Sequence, residues 1–168
     1  MKNRFIVFQA YGKPEILQEA IFAVISLFHQ TPESFRSQIQ IIIVSDQPDF
    51  FQTYLNPAET GFSIHIVPVS MAQIQEWKGK IQFVHRVKIE ILRMISSQFS
   101  GNIMYLDTDV VIQKPMEDLW RQIEAGKPVM HLRKDVLKQA KLPLNQKIRR
   151  FLNGKSFQLN QKTISISP

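Results

Sequence analysis

The stretch "NIMYLDTDVVIQKPMEDLW", residues 102–120, decides how the chain is read. An apolar run, 103–106, delivers two carboxylates one residue apart, Asp107 and Asp109, and a second apolar run, 110–112, follows at once. Asp is a poor strand former and rarely enters a core unpaired. The pattern predicts a strand that carries both carboxylates and needs a partner for them. On a strand, residues two apart face one side, so Asp107 and Asp109 converge on one cation. Where the strand ends between them, a turn still aims both at one point. Oxygen-only ligands suit Mg2+ or Mn2+, whose shell is completed by water and substrate phosphates. The plainer reading is an Asp pair that caps a turn.

Upstream, "RFIVFQ" (4–9) reads as a short buried strand. Pro14 suits the first turn of a helix and Glu15 complements its dipole. Leu17, Ala20, Ile21, Val24 and Phe28 recur at helical spacing to about His29. A second buried strand is expected at 39–46, a short helix near 50–55, and a third strand at 62–70, where Pro68 marks an end or an edge. A long helix follows over 84–98, then the Asp-bearing strand, a short helix within 114–128, and one more strand at "VMHL" (129–132). Strands alternating with helices predict a three-layer α/β, Rossmann-like fold with a mostly parallel sheet. The carboxyl ends of such strands are where these folds take ligands. We expect one α/β domain over 1–141 and a basic, weakly structured segment over 142–168.

In "VHRVKIEILRMI" (84–95), Val84, Val87, Ile91 and Ile95 form an apolar stripe, while Arg86, Glu90 and Arg93 fall on the opposite face. Lys88 lies inside the stripe, where a lysine is almost never buried without a partner. Two explanations stand: the stem packs and the ammonium reaches water, or the ammonium is aimed at a diphosphate.

The chain has 168 residues, 44% of them hydrophobic and 21% charged, and no cysteine. Disulfides and cysteine-ligated metal sites are therefore excluded, and a reducing cytoplasm is the expected home. Apolar stretches such as "AIFAVI" (20–25) are too short to span a bilayer, and the opening "MKNRFIVFQAYG" has too few apolar residues for a signal peptide. The net charge of +7 is concentrated between His131 and Lys155, with eight Lys or Arg against Asp135 alone. That run suits phosphate-bearing partners, including peripheral contact with the inner face of a membrane, or is a solvated face. It lacks aromatic interleaving, so nucleic acid is not the expected partner.

"YLDTDVVIQKPMEDLW" resembles the DxD segment of nucleotide-sugar glycosyltransferases with the GT-A fold, the glycogenin- and galactosyltransferase-like enzymes. "HRVKIEILRMISSQFSGNIMYLDTD" extends the resemblance backward, and "RFIVFQAYGKPEILQEAIFAVISLFHQTP" resembles the first strand, nucleotide-contacting loop and first helix of that family. The likeness covers about residues 4–131. It implies that Asp107 and Asp109, with Thr108 between them, hold Mn2+ or Mg2+ and the donor. It implies that Lys88 holds phosphate, and that Gln9, Ala10, Tyr11 and Gly12 line the nucleotide, a UDP-sugar by family frequency. Asp46 is a weaker candidate for base contact, and a turn role in "SDQPD" is favoured. Family members are longer, and their later half supplies acceptor contacts and a third metal ligand, commonly a His. None of His29, His65, His85 and His131 matches that late His. The resemblance thus implies the N-terminal, donor-binding half, with an unknown acceptor and an exposed apolar surface that invites a homodimer.

Two other readings remain at this level. "YLDTDVV" also fits the first motif of haloacid-dehalogenase phosphatases, with Asp107 as nucleophile and Asp109 as general acid/base. That motif usually opens its domain, whereas here 106 residues precede it and 59 follow Asp109. The other is a non-catalytic binding module using the basic run.

Overall fold

The computed structural model describes residues 3–127, which lie within the compact unit Met1–Val129. The strand expected at 129–132, the basic run and the 141/142 boundary fall outside the described residues.

The elements alternate as β1 (Asn3–Gln9), α1 (Pro14–Gln30), α2 (Glu33–Arg36), β2 (Ile39–Ser45), α3 (Pro48–Tyr54), α4 (Pro57–Thr60), β3 (Ser63–Pro68), α5 (Met71–Lys78), α6 (Val84–Gln98), β4 (Gly101–Leu106) and α7 (Glu117–Glu124). The four strands form one sheet in the order β3-β2-β1-β4, and every pairing is parallel. The α/β fold class read from the sequence is the one observed. Pro68 closes β3, which is an edge strand, as its missing N–H demands.

Alternate residues of β1 feed two cores. Ile6 and Phe8 join α1, α3 and α7 through Leu17, Ala20, Val24, Leu27, Phe51 and Trp120. Phe5 and Val7 join α5 and α6 through Ile74, Val87, Ile91 and Ile95. Helices therefore cover both faces, and β1 and β2 read as continuous apolar runs because neither face meets water. Helix α1 starts at Pro14 and ends where the Thr31 N–H bonds the Leu27 and Phe28 carbonyls, just before Pro32.

At the amino end of the sheet, Arg4 is 5% exposed. Its Nε meets Glu124 Oε1 at 2.7 Å and its Nη1 donates to Gln38 Oε1 at 2.8 Å. The guanidinium also lies over the Phe35 ring, 4.5 Å from its centroid. Gly101 allows β1 and β4 to meet there, because a Cβ on it would lie 2.4 Å from the Asn3 carbonyl oxygen.

Two expectations are corrected. Strand β4 stops at Leu106, so Asp107 and Asp109 sit in the turn after it and 110–112 is not a strand. Both carboxylates are exposed there and keep their water, which a place in the sheet would deny them. Val84 does not belong to the buried stripe of α6: it is 53% exposed at the helix start, whereas Val87, Ile91 and Ile95 are fully buried.

Candidate functional site

In this sheet β1 leads to β2 on one side and then to β3, while β4 returns to the other side of β1. The carboxyl ends of β1 and β4 therefore flank the point where the winding direction reverses. Chains leaving two neighbouring strands in opposite directions open a crevice there. A cavity of about 390 Å3 lies at this point, lined by Gln9, Tyr11, Ile16, Glu19, Lys88, Asp107, Thr108 and Asp109.

Six of the eight donor-site residues expected from sequence are in that lining: Gln9, Tyr11, Lys88, Asp107, Thr108 and Asp109. The other two are placed differently. Ala10 is fully buried in the core under α1, and its N–H bonds the Val44 carbonyl at 2.9 Å. Period-two alternation explains this: Phe8 and Ala10 face α1 while Gln9 and Tyr11 face the pocket side. Gly12 turns the chain at φ +86°, a conformation that favours glycine. Its N–H donates to Asp46 Oδ1 at 3.1 Å. Asp46 thus ties the loop after β1 to the loop after β2.

Lys88 resolves its anomaly with a partner. Its side chain is 30% exposed, and its ammonium donates to Asp107 Oδ1, a carboxylate 52% exposed. The ammonium also lies 5.4 Å from the centroid of the Tyr105 ring. Burial pushes the Tyr105 phenol well up, and the neighbouring Asp107 carboxylate adds to the shift. Burial raises Tyr11 as well. Both phenols stay neutral at ordinary pH. Gln9 Oε1, on a residue that lines the cavity, is buried without a hydrogen-bond partner, and an unmet polar atom beside a cavity is one that a ligand or water completes.

The sequence did not single out Glu19. It sits off the buried stripe of α1 and looks like an ordinary solvated acid, yet its Oε2 accepts from Thr108 Oγ1 at 3.1 Å. That bond fixes the turn between the two aspartates. Tyr105 was also missed, although two-residue spacing places it on one side of the chain with Asp107. A second hollow, about 580 Å3, shares Glu19, Thr108 and Asp109 and adds Glu15, Gln18, Phe22, Val110 and Val111. Phe22 and Val111 are 57% and 53% exposed there.

The candidate donor set is Asp107 and Asp109. It is oxygen-only and carboxylate, and among the described residues no group of three or more His, Asp or Glu is placed to form a metal cage. An ion such as Mg2+ or Mn2+ takes one or two carboxylates and leaves its other positions to water and phosphate.

No protein-family model matches the chain, and no curated protein matches it. Among solved structures, it is similar to mouse xyloside xylosyltransferase 1 in its apo form, with 12% identity, 75% of this chain and 50% of that chain covered, and a TM-score of 0.45. It is also similar to S. aureus TarS, with 16% identity, 73% of this chain and 20% of that chain covered, and a TM-score of 0.40. For TarS 1–349 the values are 16%, 73%, 32% and 0.38. The chain spans half or less of each of these proteins.

Proposed function

We propose that the chain binds a nucleoside-diphosphate sugar, first of all a UDP-sugar, with Mn2+ or Mg2+, as the donor-binding portion of a metal-dependent glycosyltransferase. The observation that carries this reading is the gathering of Lys88, Asp107 and Asp109 around one cavity at the switch point of a parallel sheet. A nucleoside diphosphate matches both charges: its phosphate oxygens suit the ammonium, and its bridging divalent ion suits the carboxylates. The reading agrees with the name of the xylosyltransferase and does not rest on it.

A divalent ion held by Asp107 and Asp109 would neutralise the charge that develops on the departing diphosphate. Lys88 exchanges its contact with Asp107 for a phosphate oxygen and adds positive charge at the same place. Thr108, held by Glu19, keeps the two carboxylates aimed at the cavity. Gln9 Oε1 and the Tyr11 ring offer an acceptor and a flat face to the nucleoside.

Thermal unfolding with UDP and UDP-sugars, with and without Mn2+, tests the reading. A ligand at about a hundred times its dissociation constant adds roughly 2.7 kcal/mol, several degrees for a chain of this size. A metal-dependent shift is expected. No shift with any nucleotide removes the proposal, and Asp107-dependent release of phosphate from a simple phosphomonoester would put the phosphatase reading in its place.

A further inference from the structure

The connection from α5 to α6 carries apolar side chains that the fold does not use. Ile81 is 82% exposed, Phe83 48%, Val84 53%, and Ile89, on the outer face of α6, 62%. Ile81, Phe83 and Val84 are close neighbours in the chain; the Phe83 ring packs on the His85 ring at 5.4 Å, and His85 lies one helical turn before Ile89. The tip is built rather than slack. The Gly79 carbonyl accepts from the Gln82 N–H and from Gln82 Nε2, both at 3.1 Å, and the Phe83 N–H bonds the Lys78 carbonyl at 3.0 Å. Gln82 itself is held at φ +51°, a left-handed conformation that costs energy for any residue but glycine. That turn keeps Ile81 directed into solvent.

Bases surround this tip. Lys78 and Lys80 precede it, and Arg86 and Arg93 follow on α6. The Arg86 guanidinium lies so close to Gly79 that a Cβ there would meet Nη1 at 2.6 Å, so it brackets the turn from the helix side. The acids in the same stretch are Glu76 and Glu90, and Glu90 already faces Arg86 and Arg93 at 3.8 and 3.9 Å. Apolar residues at a tip with cations behind them match the layering of an anionic bilayer surface, in which acyl chains lie beneath negative headgroups. No helix among the described residues is long and apolar enough to cross a membrane.

We propose that the α5–α6 connection is a peripheral membrane anchor: Ile81, Phe83 and Val84 enter the headgroup–acyl boundary of an anionic bilayer while Lys78, Lys80, Arg86 and Arg93 face the lipid phosphates. This is independent of the sugar-transfer reading, since none of these residues lines the donor cavity.

The test is co-sedimentation of the full chain with vesicles of phosphatidylglycerol and phosphatidylcholine, and with phosphatidylcholine alone. Binding is expected to the anionic vesicles, falling with salt. The double substitution Ile81→Glu, Phe83→Glu should lower the partition coefficient at least tenfold, with thermal stability and nucleotide response unchanged. Lys80→Ala should lower it roughly fivefold, the worth of one base near such a surface. In Phe83→Trp, brominated lipid should quench fluorescence beyond the parent chain's level. The proposal is overturned by no binding to anionic vesicles, by equal binding to neutral ones, or by equal binding of the double variant. It is also overturned if that variant changes self-association in vesicle-free sedimentation and leaves lipid binding intact.

Discussion

The two ends of the β1–β4 pair hold ionic groups in opposite ways. At the amino end, Arg4 is buried and held by Glu124, Gln38 and two aromatic rings. At the carboxyl end, Lys88 has a half-exposed aspartate as its ion-pair partner and a cavity in front of it. A buried charge must be paired completely or it destabilises the fold. An exposed pair contributes little and is easily exchanged for a ligand. The first arrangement locks the sheet; the second leaves charge available. Unmet polar atoms do not make the distinction, because Asn102 Nδ2 and Trp120 Nε1 are also buried without partners. The cavity and the exposure of the charges do.

The contrast can be broken by substitution. The largest effect belongs to the amino end: Trp120→Ala empties a fully buried site and should cost about 3–5 kcal/mol in urea unfolding. Gly101→Ala comes next, because its Cβ has nowhere to go but the Asn3 carbonyl and the Phe5 ring. It should cost about 1–3 kcal/mol and weaken nucleotide binding too, since β4 delivers the aspartate turn. Glu124→Gln acts through pH. The hydrogen bond from Arg4, with its charge, holds the Glu124 carboxyl below the usual range. A lowered folded pKa gives stability that is full above the unfolded value and is lost as pH falls through the folded one. The native chain should therefore lose stability on acidification below the ordinary glutamate range, and the variant should show a flatter acid limb. Lys88→Met should be the mildest, changing stability by at most about 1 kcal/mol because both partners are partly solvated, while nucleotide affinity falls. A large stability loss from Lys88→Met would erase the distinction between the two ends.

Local pattern made most of the fold legible. The apolar runs of β1 and β2, Pro14 at the start of α1 and Pro68 at the end of β3 each act within a few residues. Helix α5 was not read because only Ile74 of its eight residues is buried, although Ser70 capping the Gln73 N–H was a visible start signal. Asp107 and Asp109 were legible as a pair, but their place just beyond the strand was not, since the apolar run after them imitates its continuation. Lys88 announced that it needed a partner without saying which. Glu19 was silent: its bond to Thr108 spans 89 residues and leaves no periodic trace.

The most direct measurement is calorimetric titration of UDP in the presence and absence of Mn2+, on the native chain and on Asp109→Asn, with Glu124→Gln as the control from the other end. Mn2+-dependent binding to the native chain and to the control is expected, and none to Asp109→Asn. Equal binding to Asp109→Asn, or binding indifferent to the metal, would contradict it.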